Sequence, residues 1–248
     1  NTTGSQNVAI GYLALDGKTT SNGNTAVGYD SLSGNNSGFG NTAVGRRALL
    51  LNTTGITNVA VGNDAARSNT TGNAITAIGG SALYNNTTSD GHTAVGRNAL
   101  YSNTQGSENT AVGKNALFAN NHGDNNVAIG SEALKNNTTA DNNTGLGSHA
   151  LTANTTGGFN TAVGMNCLDA NTTGHSNVAM GTSALGANTT ANENTAIGAS
   201  CLTFNTTGTA NTGLGRNALR ENTTADNNTA VGFEALKENT TGTSNTAV

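Results

Sequence analysis

Tryptophan and proline are absent from this 248-residue chain, 4% of it is aromatic and 10% is charged. With an apolar share of 34%, that is not the make-up of one large globular domain or of two ordinary ones. The shortage of charge also argues against disorder, because chains that stay unfolded in water are usually rich in it. A formal net charge of −4, spread along the length, leaves no basic stripe for nucleic acid and no polybasic membrane patch. No apolar run approaches the ~18 residues of a membrane-crossing helix, and Asn1 opens neither a charged region nor an apolar signal core. Neither a nucleic-acid partner nor membrane insertion is expected of this segment.

What the chain has in excess is Gly, Asn, Thr and Ala, in a strict order. Written from Asn7 in lines of 17, the sequence runs for fourteen lines to Ser244 without an insertion or deletion. Column five is Gly in every line, from Gly11 and Gly28 to Gly232. Column four is aliphatic or Met (Ile10, Val27, Val112, Leu146, Met180), and column nine is Leu except at Ala66. Columns three and eight are small (Ala9, Ala26, Gly145; Ala14, Ser31, Ala48, Cys167). Column one is Asn except at Ile75 and His92, and column twelve is Asn except at Lys18.

The consensus line is Asn-Thr-Ala-Val-Gly-x-x-Ala-Leu-x-x-Asn-Thr-Thr-Gly-x-x, and it predicts one turn of a parallel β-solenoid. Thr-Ala-Val is a short β-friendly run, and the Gly after it takes φ > 0 without strain. Ala-Leu is expected to be a second short strand, and Asn-Thr-Thr-Gly a turn. A helical repeat would need an amphipathic stretch of about 10 residues, which the fixed Gly between the two apolar columns interrupts. The fold class is therefore all-β: about fourteen coils of 17 residues in a single continuous solenoid over residues 1–248, extending roughly 70 Å at ~4.8 Å per coil.

Stacked coils place like columns above one another. Val or Ile on its own kind, and Leu on Leu, are expected to fill a narrow core, while the two Asn columns form side-chain ladders. Ile75 and His92 interrupt one ladder in adjacent coils, which makes that stretch its weakest. The Ala columns would let another backbone approach closely, which points to three identical chains packed side by side. The chain starts at column twelve and stops at column four without an atypical capping coil, so it reads as an excerpt of a longer array.

Asn7-Val8-Ala9-Ile10-Gly11 and Asn126-Val127-Ala128-Ile129-Gly130, each followed after two residues by a small one, resemble the head repeat of YadA-like trimeric autotransporter adhesins. The longer unit with Asn-Thr-Thr-Gly also resembles repeat regions of phage-type tail-fibre proteins. The resemblance implies a left-handed β-roll assembled as a homotrimer, outside the cell on a cell surface or a virion. The coil is longer here than in the adhesin pattern.

An active site would show as a break in the pattern where chemical groups converge, and none is found; no enzyme activity, cofactor or metal is expected. His92, His122, His149 and His175 stand in four different columns. Cys167 and Cys201 share column eight two coils apart, near 9.6 Å by the coil rise, beyond disulfide reach, and read as replacements for Ala. Asp90, Asp124, Asp141 and Asp226 fall in the variable columns sixteen and seventeen, without the Gly-Gly-x-Gly-x-Asp unit of calcium-binding rolls.

The triplets at Asn52, Asn69, Asn86, Asn154, Asn171, Asn188, Asn205, Asn222 and Asn239 match the N-glycosylation sequon, although turn chemistry and Asn laddering explain the same letters. Tyr84, Tyr101 and Phe118 occupy consecutive coils in column ten, as cross-strand packing or as a patch for a glycan or receptor. The leading expectation is a passive shaft or spacer of an extracellular fibre that associates with itself. Its alternatives are an adhesin head that binds surface glycans through variable columns and, more remotely, an ice-binding solenoid. The last would use a regular Thr-x-Thr array, whereas Thr is adjacent to Thr here.

Overall fold

The computed structural model describes residues 3–17 and 20–248, so Lys18, the exception in column twelve, lies outside the described residues. The chain is all-β, with fifteen short strands, one per period, and no helix among the described residues. Contacts divide it into two compact units, Asn1–Asn125 and Asn126–Val248. The first carries seven strands, from β1 (Val8–Ile10) to β7 (Thr110–Val112), and the second eight, from β8 (Val127–Ile129) to β15 (Thr246–Ala247).

Within each unit every strand runs parallel to its neighbours in the chain, in register by whole periods. In the first unit Thr42, Ala43 and Val44 pair with Val59, Ala60 and Val61; in the second Thr161, Ala162 and Val163 pair with Val178, Ala179 and Met180. The ladder hydrogen bonds are short, such as Thr42 N–H to Asn58 O (2.8 Å) and Gly62 N–H to Val44 O (2.8 Å). Both units are therefore parallel β-solenoids in which one 17-residue line makes one coil.

The column-five glycines end each strand with φ between 127° and 141°, a region that side chains rarely enter. Packing makes the same demand. A Cβ on Gly164 would lie 2.8 Å from the carbonyl carbon and oxygen of Gly181 in the next coil.

Ala-Leu does not form the expected second strand. Columns six to eleven are turns, and columns seven and nine hold φ near +50° to +60°, as at Asp30 and Leu32 or Asn166 and Leu168. For Leu that conformation costs about 1–2 kcal/mol. Two things offset it: the turn swings the side chain of Leu32 out of contact with water, and its N–H donates to Ala48 O in the next coil (2.9 Å).

The core also differs from the expectation. A strand of three residues alternates its faces, and the inward residue is the Ala of column three; the aliphatic residue of column four points out. The interior consists of Ala columns three and eight, Leu column nine and both Asn columns, all essentially without solvent exposure through the middle of each unit. The Ala columns are thus inside the coil and cannot be the face on which a second chain packs.

The two Asn columns serve one carbonyl. Asn41 and Asn52 both donate through Nδ2 to Gly55 O (2.8 and 3.0 Å), and Asn143 and Asn154 both to Gly157 O (2.9 and 2.9 Å). Each pair closes its coil across the interior. Their Oδ1 atoms link coils: Asn24 Oδ1 accepts from Asn41 N–H (3.0 Å), and Asn137 Oδ1 from Asn154 Nδ2 (2.9 Å). A short amide that donates and accepts in fixed directions is what both positions require.

Candidate functional site

With the core assigned, the outward strand face stands out. Columns two and four flank the buried Ala, so each strand presents a Thr or Val and an aliphatic residue to solvent, with no charged side chain in either column. Ile10 is 61% exposed and Ile78 40% in the first unit; Leu146 is 43% and Leu214 45% exposed in the second. Scattered exposed aliphatic residues carry no message, but an aligned stripe repeated coil after coil does. The face pairs one Thr-rich column with one aliphatic column rather than two Thr columns.

The column-ten aromatics do come together. Tyr84 and Tyr101 stack at 5.2 Å between centroids, and Tyr101 and Phe118 at 5.3 Å, with planes 15° and 10° apart. Arg67 caps the stack, its guanidinium 5.5 Å from the Tyr84 ring centre and Nη1 3.0 Å from the Tyr84 hydroxyl. Both faces of Tyr84 and of Tyr101 are therefore occupied by neighbours. A sugar stacks on a ring face, so the two tyrosines offer none, while Phe118 has one face against Tyr101.

The sequon asparagines are not available for attachment. Asn52, Asn69, Asn86, Asn154, Asn171, Asn188, Asn205 and Asn222 are fully buried, and Asn239 is half-buried. A glycan would replace a hydrogen on Nδ2, and that atom is already bonded to the preceding coil and to its own turn. In Asn171 it donates to Asn154 Oδ1 (2.8 Å) and Gly174 O (2.9 Å). Even in Asn239 it donates to Asn222 Oδ1 (3.2 Å) and Gly242 O (2.9 Å). Glycosylation of this column is incompatible with the folded coil.

Column sixteen reveals a third, intermittent ladder that the sequence reading missed. Asp90 Oδ1 accepts from Asn73 N–H (2.6 Å), Asp124 Oδ1 from Ser107 N–H (2.7 Å) and Asp226 Oδ1 from Thr209 N–H (2.7 Å). Asn73 and Asn192 do the same for Ile56 and His175. The mixing of Asp with Asn in this column was the available signal: a position that accepts either needs an oxygen acceptor, not a charge.

Among the titratable groups, burial pushes the Cys167 and Cys201 thiols up to about 12. Both are free thiols, and Cys167 Sγ donates to Ala179 O (3.2 Å) as Ser31 Oγ does to Ala43 O (2.9 Å). His92 replaces an Asn of column one: its Nδ1 accepts from Asn109 N–H (3.3 Å), and the ring also bonds the Gly106 carbonyl. Burial pushes its pKa down to about 4, against the opposing pull of the carbonyl. Among the described residues no group of three or more His, Cys, Asp or Glu side chains is placed to hold a metal ion. No protein-family model matches this chain, and no curated protein does either.

Proposed function

We propose that this chain is a non-enzymatic shaft segment of an extracellular fibre, on a cell surface or a virion, in which three copies pack side by side. The observation that carries the reading is the outward aliphatic column. Each coil turns its Val, Ile, Leu or Met outward, where it stays half-buried or exposed, and a second chain placed on that face would remove the rest of it from water. The ladders supply what a shaft needs, since within each unit the coils are tied to one another through backbone and Asn side chains. Long parallel arrays of this kind resist bending and unzipping.

Sedimentation at micromolar concentration tests this directly. The chain is expected to run as a trimer, and Ile78→Asp with Leu146→Asp, which alter only outward positions, to run as a monomer with unchanged β-type circular dichroism. A wild-type monomer would remove the reading.

A further inference from the structure

Column sixteen of the second unit carries Asp141, His175, Asn192, Thr209, Asp226 and Thr243, but in the coil between Asp141 and His175 it carries Gly158. The backbone does not ask for a glycine there, because φ is outside the left-handed region. An added Cβ would sit 3.1 Å from Asp141 O, a close fit, yet neighbouring coils carry a side chain in this column. The consequence of Gly158 is a notch, with Asp141 on one lip and His175 on the other, two coils or ~9.6 Å apart.

The notch opens into a groove of about 480 Å³, within the usual size range of small-molecule sites. Thr139, Thr156, Thr173 and Phe159 line it together with Asp141 and His175. Phe159 is 65% exposed and takes part in none of the ring or cation stacks found among the described residues, unlike the column-ten aromatics. The backbone of the walls is held in place: Phe159 N–H donates to Asp141 O (3.1 Å) and Ser176 N–H to Gly158 O (3.1 Å), while His175 N–H is held by Asn192 Oδ1 (2.8 Å). A backbone that needs no ordering on binding keeps more of the contact energy as affinity.

One open ring face, a carboxylate, an imidazole and a row of hydroxyls make a specific combination. It suits a molecule with a flat C–H face on one side and hydroxyls around its rim. A single carboxylate and a single imidazole, without a cluster of cations, favour a neutral ligand over an anionic one. We propose that the Gly158 notch binds one neutral hexopyranose residue of a glycan, its C–H face on Phe159 and its hydroxyls on Asp141, His175 and the column-fourteen threonines. This site is separate from the strand face on which the shaft reading rests.

Saturation-transfer NMR on the full chain, with methyl β-D-galactopyranoside and methyl β-D-glucopyranoside as probes, tests it. At least one glycoside is expected to bind, and Phe159→Ala to weaken it about two- to tenfold, the worth of one aromatic stack. Gly158→Asn is expected to abolish binding while the melting temperature stays level or rises, because an Asn in this column accepts a backbone N–H from the coil before. Tyr101→Ala, in the closed stack, is expected to leave binding unchanged. No transfer from either glycoside, or transfer that survives both Phe159→Ala and Gly158→Asn, overturns the proposal, whatever sedimentation says about trimers.

Discussion

The thiol of Cys201 fills the space that a methyl group on residue 213 would need, and residue 213 is a glycine. The two stand in columns eight and three of successive coils, where the usual pair is two alanines, as in Ala184 and Ala196. Gly213→Ala is expected to cost about 1–2 kcal/mol, because an overpacked core must shift its side chains. The cost stays at the low end if Cys201 swings to the hydrogen-bonded position that Cys167 takes beside Ala179. Cys201→Ala together with Gly213→Ala should recover the loss, and a double-mutant cycle in urea reads the coupling. Additive effects would mean that the two positions do not touch.

His92 makes the first unit acid-sensitive. Its folded pKa of about 4 lies below the unfolded value of 6.5, so between those pH values the unfolded chain takes up a proton that the folded chain refuses. Stability from this group is full above pH 6.5 and falls as the pH drops towards 4, by about 3 kcal/mol in all. His92→Asn restores the residue usual for column one. Melting curves at pH 7 and pH 4.5 should show a smaller acid-induced drop for the variant than for the wild type, and equal drops would contradict the assignment.

Asn154→Ala should be far more damaging than its single sequon suggests. It removes a donor to Asn137 Oδ1, one of the donors to Gly157 O, which keeps Asn143 Nδ2, and the acceptor used by Asn171 Nδ2, all buried. A buried polar group deprived of its partner costs about 1–3 kcal/mol, so the loss should be of that size in urea titration. The same bonding predicts that intact-mass measurement of folded protein made in a glycosylating host finds no glycan at Asn154.

Ile75 and His92 show how far the letters alone lead. A broken Asn column is visible in the sequence, but not that Ile75 still donates its N–H to Asn58 Oδ1 (3.0 Å) or that an imidazole can take over an amide's acceptor role. What is lost is one link, since Ile75 offers His92 no side-chain oxygen. Likewise the grouping of Tyr84, Tyr101 and Phe118 was legible from their shared column, whereas Arg67 on the open end of the stack, and hence the covered ring faces, was not. Phe159 and Gly158 looked unremarkable because a notch is made by a missing side chain between two others, which a column-by-column reading passes over.

The repeat itself is a property of the sequence: a 17-residue period without drift, with a glycine at the end of the strand in every line, where φ lies near 130°, fixes one rung per line and like residues above like. The tertiary structure decided which columns face inward. Strand composition does not say which face of Thr-Ala-Val is buried, because that depends on how tightly the rest of the coil closes. It closes through left-handed residues at Leu and through two asparagines on one carbonyl, leaving room at the strand for a methyl group and no more. Alanine therefore went in and valine out, which leaves an aliphatic column along the outer strand face of each unit.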